Sequence, residues 1–99
     1  QALMEEFVYD EWGNPQTGNF MDYAIPAASE FPSFDRIAME TPTDRNPLGV
    51  KGIGEAGTIG STPAVQNAVV DALKHLGVRH VDIPVKPMRV WRAIHEAGQ

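Results

Sequence analysis

The stretch 43–63 gathers Gly49, Gly52, Gly54, Gly57 and Gly60 with Asp44, Asn46, Pro47 and Pro63, and no other feature of the chain limits its fold as strongly. Glycine loses more backbone freedom on ordering than any other residue, so this density predicts a loop where a long strand or helix would be costly. Long connections without secondary structure are uncommon inside a compact domain, and those that occur are mostly functional or disordered. Leu48, Val50, Ile53 and Ile59 favour an ordered loop pressed against a surface.

The flanking segments supply the elements that such a loop would join. Residues 1–6 are strong helix formers with no capping residue ahead of them, and read as the tail of a helix cut from a longer chain. Residues 7–9 are β-prone, 10–18 carry the turn formers of a hairpin or wide loop, 20–25 read as the return strand, and 34–41 as a third strand ended by Pro42. Ser61 or Thr62 as cap, Pro63 in the first turn and Gly77 as a left-handed stop predict a helix over 63–76. Its inward stripe is Ala64, Val65, Ala68, Val69, Ala72, Leu73 and Leu76. Residues 78–83 read as a short strand, and Pro87 opens a second helix to about Ala97 with Met88, Val90, Trp91 and Ile94 facing inward. The pattern predicts one α+β unit over residues 1–99, a small mixed sheet with two C-terminal helices packed on it.

Composition removes several function classes. With no cysteine there is no disulfide scaffold, thiolate zinc site or cysteine nucleophile, which suits a cytoplasmic protein. The net charge of −5, with eight basic residues scattered among thirteen acidic ones, argues against nucleic acid as a partner. No apolar run is long enough for a membrane span, and Gln1-Ala2-Leu3-Met4-Glu5-Glu6 is not a signal peptide. His75, His80 and His95 share no metal-ligand spacing, and no serine has a histidine and an acid in triad order.

Gly52-Ile53-Gly54-Glu55-Ala56-Gly57 satisfies the G-x-G-x-x-G pattern, yet its context is wrong for a dinucleotide site. That site needs a buried strand directly before the first glycine and a helix opening inside the motif, whereas Asn46-Pro47-Leu48-Gly49 precedes it here and the helix is expected only at Pro63. A Walker-type phosphate loop is absent. What remains is a glycine loop carrying one carboxylate, Glu55, with Lys51 nearby. Its backbone could approach a ligand closely and turn amides toward an anion, and Glu55 could act as a general base. Turn-forming glycines around a solvated surface acid account for the same residues.

The run Asn46-Pro47-Leu48-Gly49-Val50-Lys51-Gly52-Ile53-Gly54-Glu55-Ala56-Gly57-Thr58-Ile59-Gly60, followed by Pro63-Ala64-Val65, Val81-Asp82-Ile83-Pro84 and Val90-Trp91, closely resembles the carboxyl end of the large subunit of the molybdenum hydroxylases. That family includes xanthine dehydrogenase, aldehyde oxidoreductases and the aerobic carbon monoxide dehydrogenase large chain. Residues 1–6 and Tyr23-Ala24-Ile25-Pro26 resemble it in the same order, so the likeness covers nearly the whole chain.

The resemblance implies a molybdenum–molybdopterin cofactor, in the simple or the cytosine dinucleotide form, held in the full-length enzyme and not by the isolated fragment. Glu55 would be the base that deprotonates the oxygen nucleophile, and Lys51, Gly52 and Gly54 would line the pterin. It further implies as partners the remainder of the large subunit and iron–sulfur and FAD subunits or domains. The isolated chain would then be inactive and, with faces built to pack on other parts, prone to self-association. A free-standing binding or interaction module reusing this fold piece is the alternative.

Overall fold

Two helices with apolar stripes need a common surface to cover, and in the computed structural model, which describes residues 1–98, that surface is the short segment 78–85. The helices are α1, Ala56–Leu73, continued by a 3-10 turn Lys74–Leu76, and α2, Pro87–Ala97. Val78, Val81 and Val85 are the buried core among the described residues, the first two only 3% exposed. Val65, Val69, Val70 and Leu73 of α1, Val90, Ala93 and Ile94 of α2, and Leu3 from the N-terminal segment pack around them. Gly77 turns the chain between α1 and this core at φ 89°, a left-handed conformation that disfavours a side chain.

Polar bonds tie the same elements together. Gln66 of α1 donates from Nε2 to the Val81 carbonyl at 2.8 Å, and the Val85 amide donates to the Ala2 carbonyl at 2.7 Å. Glu6 accepts from Lys86 Nζ at 2.6 Å and from the Arg89 guanidinium, which also donates to the Pro84 carbonyl at 3.1 Å. The first six residues are thereby fixed to the start of α2. They are not helical, contrary to the expected helix tail, because their carbonyl and side-chain bonds go to the C-terminal segment.

The expected mixed sheet is not present among the described residues. Residues 7–9 and 15 meet in a single antiparallel bridge, Tyr9 with Pro15, closed by a turn in which Asp10 accepts from the Trp12 and Asn14 amides at 2.9 and 2.8 Å. Pro15 has no N–H to extend the ladder. Residues 19–23 form a turn around Asn19, and 32–42 run without regular structure and largely exposed. Residues 78–83, expected as a short strand, bury only Val78 and Val81 and form no strand, since no neighbouring strand lies among the described residues to pair with them.

The helix predicted from Pro63 begins seven residues earlier, at Ala56, so Gly57, Gly60 and Pro63 all lie inside it. Each helical glycine costs about 1 kcal/mol, which disfavours a helix without forbidding it. The stripes also divide differently from expectation. On α1 the valines and Leu73 face the core while Ala64, Ala68, Ala72 and Leu76 are exposed, and on α2 Met88 and Trp91 are outward, 59% and 52% exposed. Trp91 stacks instead on His95, with ring centroids 4.1 Å apart.

The result is an open structure. Its radius of gyration is 18.1 Å with extents of 57 × 39 × 26 Å, against about 13 Å for a compact chain of this length. No helix among the described residues is long and apolar enough to cross a membrane.

Two expectations follow. Val81→Ala removes two carbons from the centre of this core and should cost about 2 kcal/mol in denaturant unfolding followed by helical circular dichroism, whereas Met21→Ala, at a position 96% exposed, should cost under about 0.5 kcal/mol. The Glu6 carboxyl is held below its ordinary range by hydrogen bonds from Lys86 and then Arg89. A lowered folded-state value means that this stabilisation is full at neutral pH and is lost as pH falls through that value. The melting-temperature difference between the native chain and Glu6→Gln should therefore shrink between pH 7 and pH 2, and a difference independent of pH would exclude the clamp.

Candidate functional site

Asn46-Pro47-Leu48-Gly49 has the residues of a β-turn, and the Gly49 amide closes it on the Asn46 carbonyl at 3.1 Å. Asn46 then locks the turn with its side chain: Oδ1 accepts from the Leu48 and Val50 amides, each at 3.1 Å, and Nδ2 donates to the Val50 carbonyl at 2.8 Å. Gly49 is left-handed at φ 66°, and a β-carbon there would stand 3.0 Å from Pro42 Cβ. The Thr43 amide donates to the Gly49 carbonyl at 3.1 Å, joining the turn to the segment before it.

Past this turn the chain is sparsely held until α1 begins. Lys51 Nζ donates to Thr41 Oγ1 at 2.7 Å. It makes no ion pair with Glu55, so the two charged groups of the expected site are not brought together within the chain. Gly52 and Gly54 have neither a left-handed backbone nor any atom within 4 Å of a would-be β-carbon, and the same holds for Gly57 and Gly60 in α1. Nothing among the described residues accounts for glycine at these four positions. Lys51, Gly52 and Ile53 form one wall of an open groove of about 550 Å³, with Met39, Thr41 and Leu48 opposite.

Glu55 is the N-cap residue of α1 and is exposed, and its side chain makes no capping bond. Its carbonyl accepts from the Ile59 amide at 3.0 Å, and the Ala56 amide bonds to the Ile53 carbonyl at 3.2 Å. The Gly57 and Thr58 amides, in the first turn of the helix, meet no acceptor among the described residues. Glycine-bordered free amides at a helix start form a surface that can receive an anionic group at close range. The carboxylate of Glu55 stands at the edge of that surface with its oxygens unengaged. No cluster of three His, Cys, Asp or Glu side chains able to hold a metal ion occurs among the described residues.

Residue-type reasoning singled out Glu55, Lys51, Gly52 and Gly54 but passed over Asn46 and Thr41, which hold the front of the segment. The turn signature at 46–49 was the available signal for Asn46. For Thr41, ten residues before Lys51, no local pattern exists.

The comparisons with known proteins agree along the chain. The family model of a molybdopterin cofactor-binding domain matches residues 1–32. The carbon monoxide dehydrogenase large chain of Hydrogenophaga pseudoflava is 38% identical over 95 residues, 96% of this chain and 12% of that protein. The nicotine 6-hydroxylase large subunit of Paenarthrobacter nicotinovorans is 42% identical over 92 residues, 93% of this chain and 11% of that one. In the crystal structure of quinoline 2-oxidoreductase from Pseudomonas putida 86, a segment superposes with a TM-score of 0.86 at 41% identity, covering 96% of this chain and 12% of that chain. The chain therefore spans only about an eighth of the length of the relatives it matches.

The helical glycines give a direct test. Since a β-carbon at Gly57 or Gly60 meets nothing in this chain, Gly57→Ala and Gly60→Ala should each stabilise α1 by up to about 1 kcal/mol, seen as greater helicity and a higher melting temperature of the 99-residue chain. Destabilisation by either would mean that the glycines serve the local backbone.

Proposed function

We propose, for a chain related along nearly its whole length to the large subunits of molybdenum hydroxylases, that it is the carboxyl-terminal glycine–glutamate portion of such a subunit and carries the general base of an oxidoreductase. The observation that carries this reading is the set of four glycines, Gly52, Gly54, Gly57 and Gly60, that nothing among the described residues requires, bordering a carboxylate whose side chain makes no capping bond. A cofactor lying against the backbone gives those positions their reason, because any side chain would hold it away.

The residues present fit a molybdopterin group, in its simple or cytosine dinucleotide form. When bound it supplies the redox chemistry and an electrophilic metal centre. The Gly57 and Thr58 amides and the α1 amino end would face its anionic groups, with Gly52 and Gly54 permitting close approach. Lys51, tied to Thr41, adds a fixed positive charge to the groove that Gly52 lines. Glu55 takes a proton from the oxygen nucleophile as that oxygen attacks an electrophilic carbon of the substrate. General-base catalysis of this kind is favoured when surrounding groups exclude water from a carboxylate. Purines, aldehydes, N-heterocycles and carbon monoxide are the substrate classes to be tested.

The open shape supports the same reading over that of a free-standing module. Three buried valines with Pro84 are a small core for a chain of this length, and Phe20, Met21, Phe34, Ile37 and Met39 are all largely exposed. We assign these surfaces, and the unpaired backbone of 32–42, to contact with the remainder of the large subunit, where the expected mixed sheet would be completed. Iron–sulfur and FAD subunits would then carry electrons away. The isolated chain should hold the base without the metal and be inactive, with a tendency to self-associate.

The test is Glu55→Gln in the full-length enzyme, which keeps size and hydrogen bonding while removing the base. Turnover on a panel of an N-heterocycle, an aldehyde, a purine and carbon monoxide should fall by about 10²–10⁴-fold with molybdenum content unchanged. Retained turnover would remove the assignment of Glu55.

A further inference from the structure

The segment 51–55 depends on its two ends. Behind it, α1 is seated on the valine core and begins with the Ala56 and Ile59 amide bonds. In its middle, a β-carbon at Gly52 or Gly54 would meet nothing among the described residues. In front, its direction is set by the locked turn at 46–49 and by the lysine tie to Thr41. Asn46 is the centre of that front anchor: it is half-buried, three side-chain bonds converge on it, and two of them fix both backbone groups of Val50, the residue before Lys51.

We propose that Asn46 is a positioning residue for Glu55, acting by holding the Val50 peptide so that the unsupported glycine segment delivers the carboxylate to one place. The inference rests on the reading of Glu55 as the base and adds the residue that sets it. A side chain beside the reacting atoms could not take this role without occupying the space that the glycines leave open. The control is therefore exerted five residues upstream, where Asn46 satisfies both the N–H and the C=O of Val50. Aspartate can reproduce the two bonds accepted by Oδ1 but not the one donated by Nδ2, and alanine reproduces none.

The experiment compares Asn46→Ala, Asn46→Asp and Glu55→Gln in the full-length, cofactor-loaded enzyme, with kcat and KM expressed per bound molybdenum and with amide hydrogen exchange followed over residues 48–56. Asn46→Ala should lower kcat about 100-fold, as a misplacement of about 1 Å can, with KM changed less than about threefold and with faster exchange confined to 48–56. Asn46→Asp should recover kcat to within about tenfold of the native enzyme, since two of the three bonds persist. A purely structural role would instead reduce the yield of loaded enzyme and leave kcat per molybdenum unchanged, and that result overturns the proposal, as does an Asn46→Asp variant no better than Asn46→Ala. Where Asn46→Ala gives no loaded enzyme, Gly49→Ala, which strains the left-handed turn against Pro42, takes its place and is read in the same way. Turnover retained by Glu55→Gln would sink the base assignment together with this inference. Turnover lost by Glu55→Gln but kept by Asn46→Ala would sink the positioning role alone.

Discussion

Everything ordered in this chain hangs from Val78, Val81 and Val85. These side chains stand at spacings of three and four on a segment that is neither helix nor strand, and the cluster they form is covered by apolar residues of α1, of α2 and by Leu3. A segment without regular structure must place its backbone groups elsewhere, and the bonds from Gln66 to Val81 and from Val85 to Ala2 do so. The same bonds carry order outward. By seating α1 they fix the rear of the glycine segment, and by capturing residues 2–6, with Glu6 held between Lys86 and Arg89, they join the beginning of the chain to its end.

The anchoring of α1 bears on the site in a particular way. A helix that starts with glycine at its second and fifth positions is weak at its amino end on intrinsic propensity. Here that end is also where the free amides and Glu55 lie. The helix is thus stabilised at its far half, through Val65, Val69, Val70 and Leu73, and left bare at its near half, where a ligand could use the backbone directly. Stability and accessibility are assigned to opposite ends of one element.

The helices were legible from sequence because their signals are local. Gly77 as a left-handed stop, Pro87 at the start of α2 and the valines at three- and four-residue spacing all act within one or two turns. What was misread depended on contacts beyond local reach. The β-prone runs 20–25 and 34–41 have strand composition but no partner in this chain, and a strand exists only with its neighbour. Gly57, Gly60 and Pro63 read locally as loop and as helix start, yet α1 runs through all three, although its contacts with the core begin only at Val65. Met88 and Trp91 were assigned inward on hydrophobicity alone, while Val90, Ala93 and Ile94 took the core face because the valine segment lies on that side. At the site, Glu55, Lys51 and the glycines were visible by residue type. Asn46 was hidden because the role proposed for it is geometric and would reach the carboxylate only through intervening backbone.

A base that must serve a substrate beside a bulky cofactor faces two opposed demands, for it has to be fixed to within a fraction of an ångström and yet nothing may crowd it. Side-chain packing around the base would meet the first and violate the second. The arrangement in residues 43–59 meets both by separating them along the chain, with bonds at Asn46 and Gly49 in front, helix bonds from Ala56 and Ile59 behind, and side-chain-free backbone between. Two anchored ends leave a five-residue segment far fewer conformations than a free one, since closing a short stiff loop removes most of its freedom. The glycines then serve less to make the segment flexible than to keep it thin. On the proposed function, four of the glycines that first limited what the chain could fold into, Gly52, Gly54, Gly57 and Gly60, would answer a requirement imposed by the body that lies against that backbone, while Gly49 answers the turn.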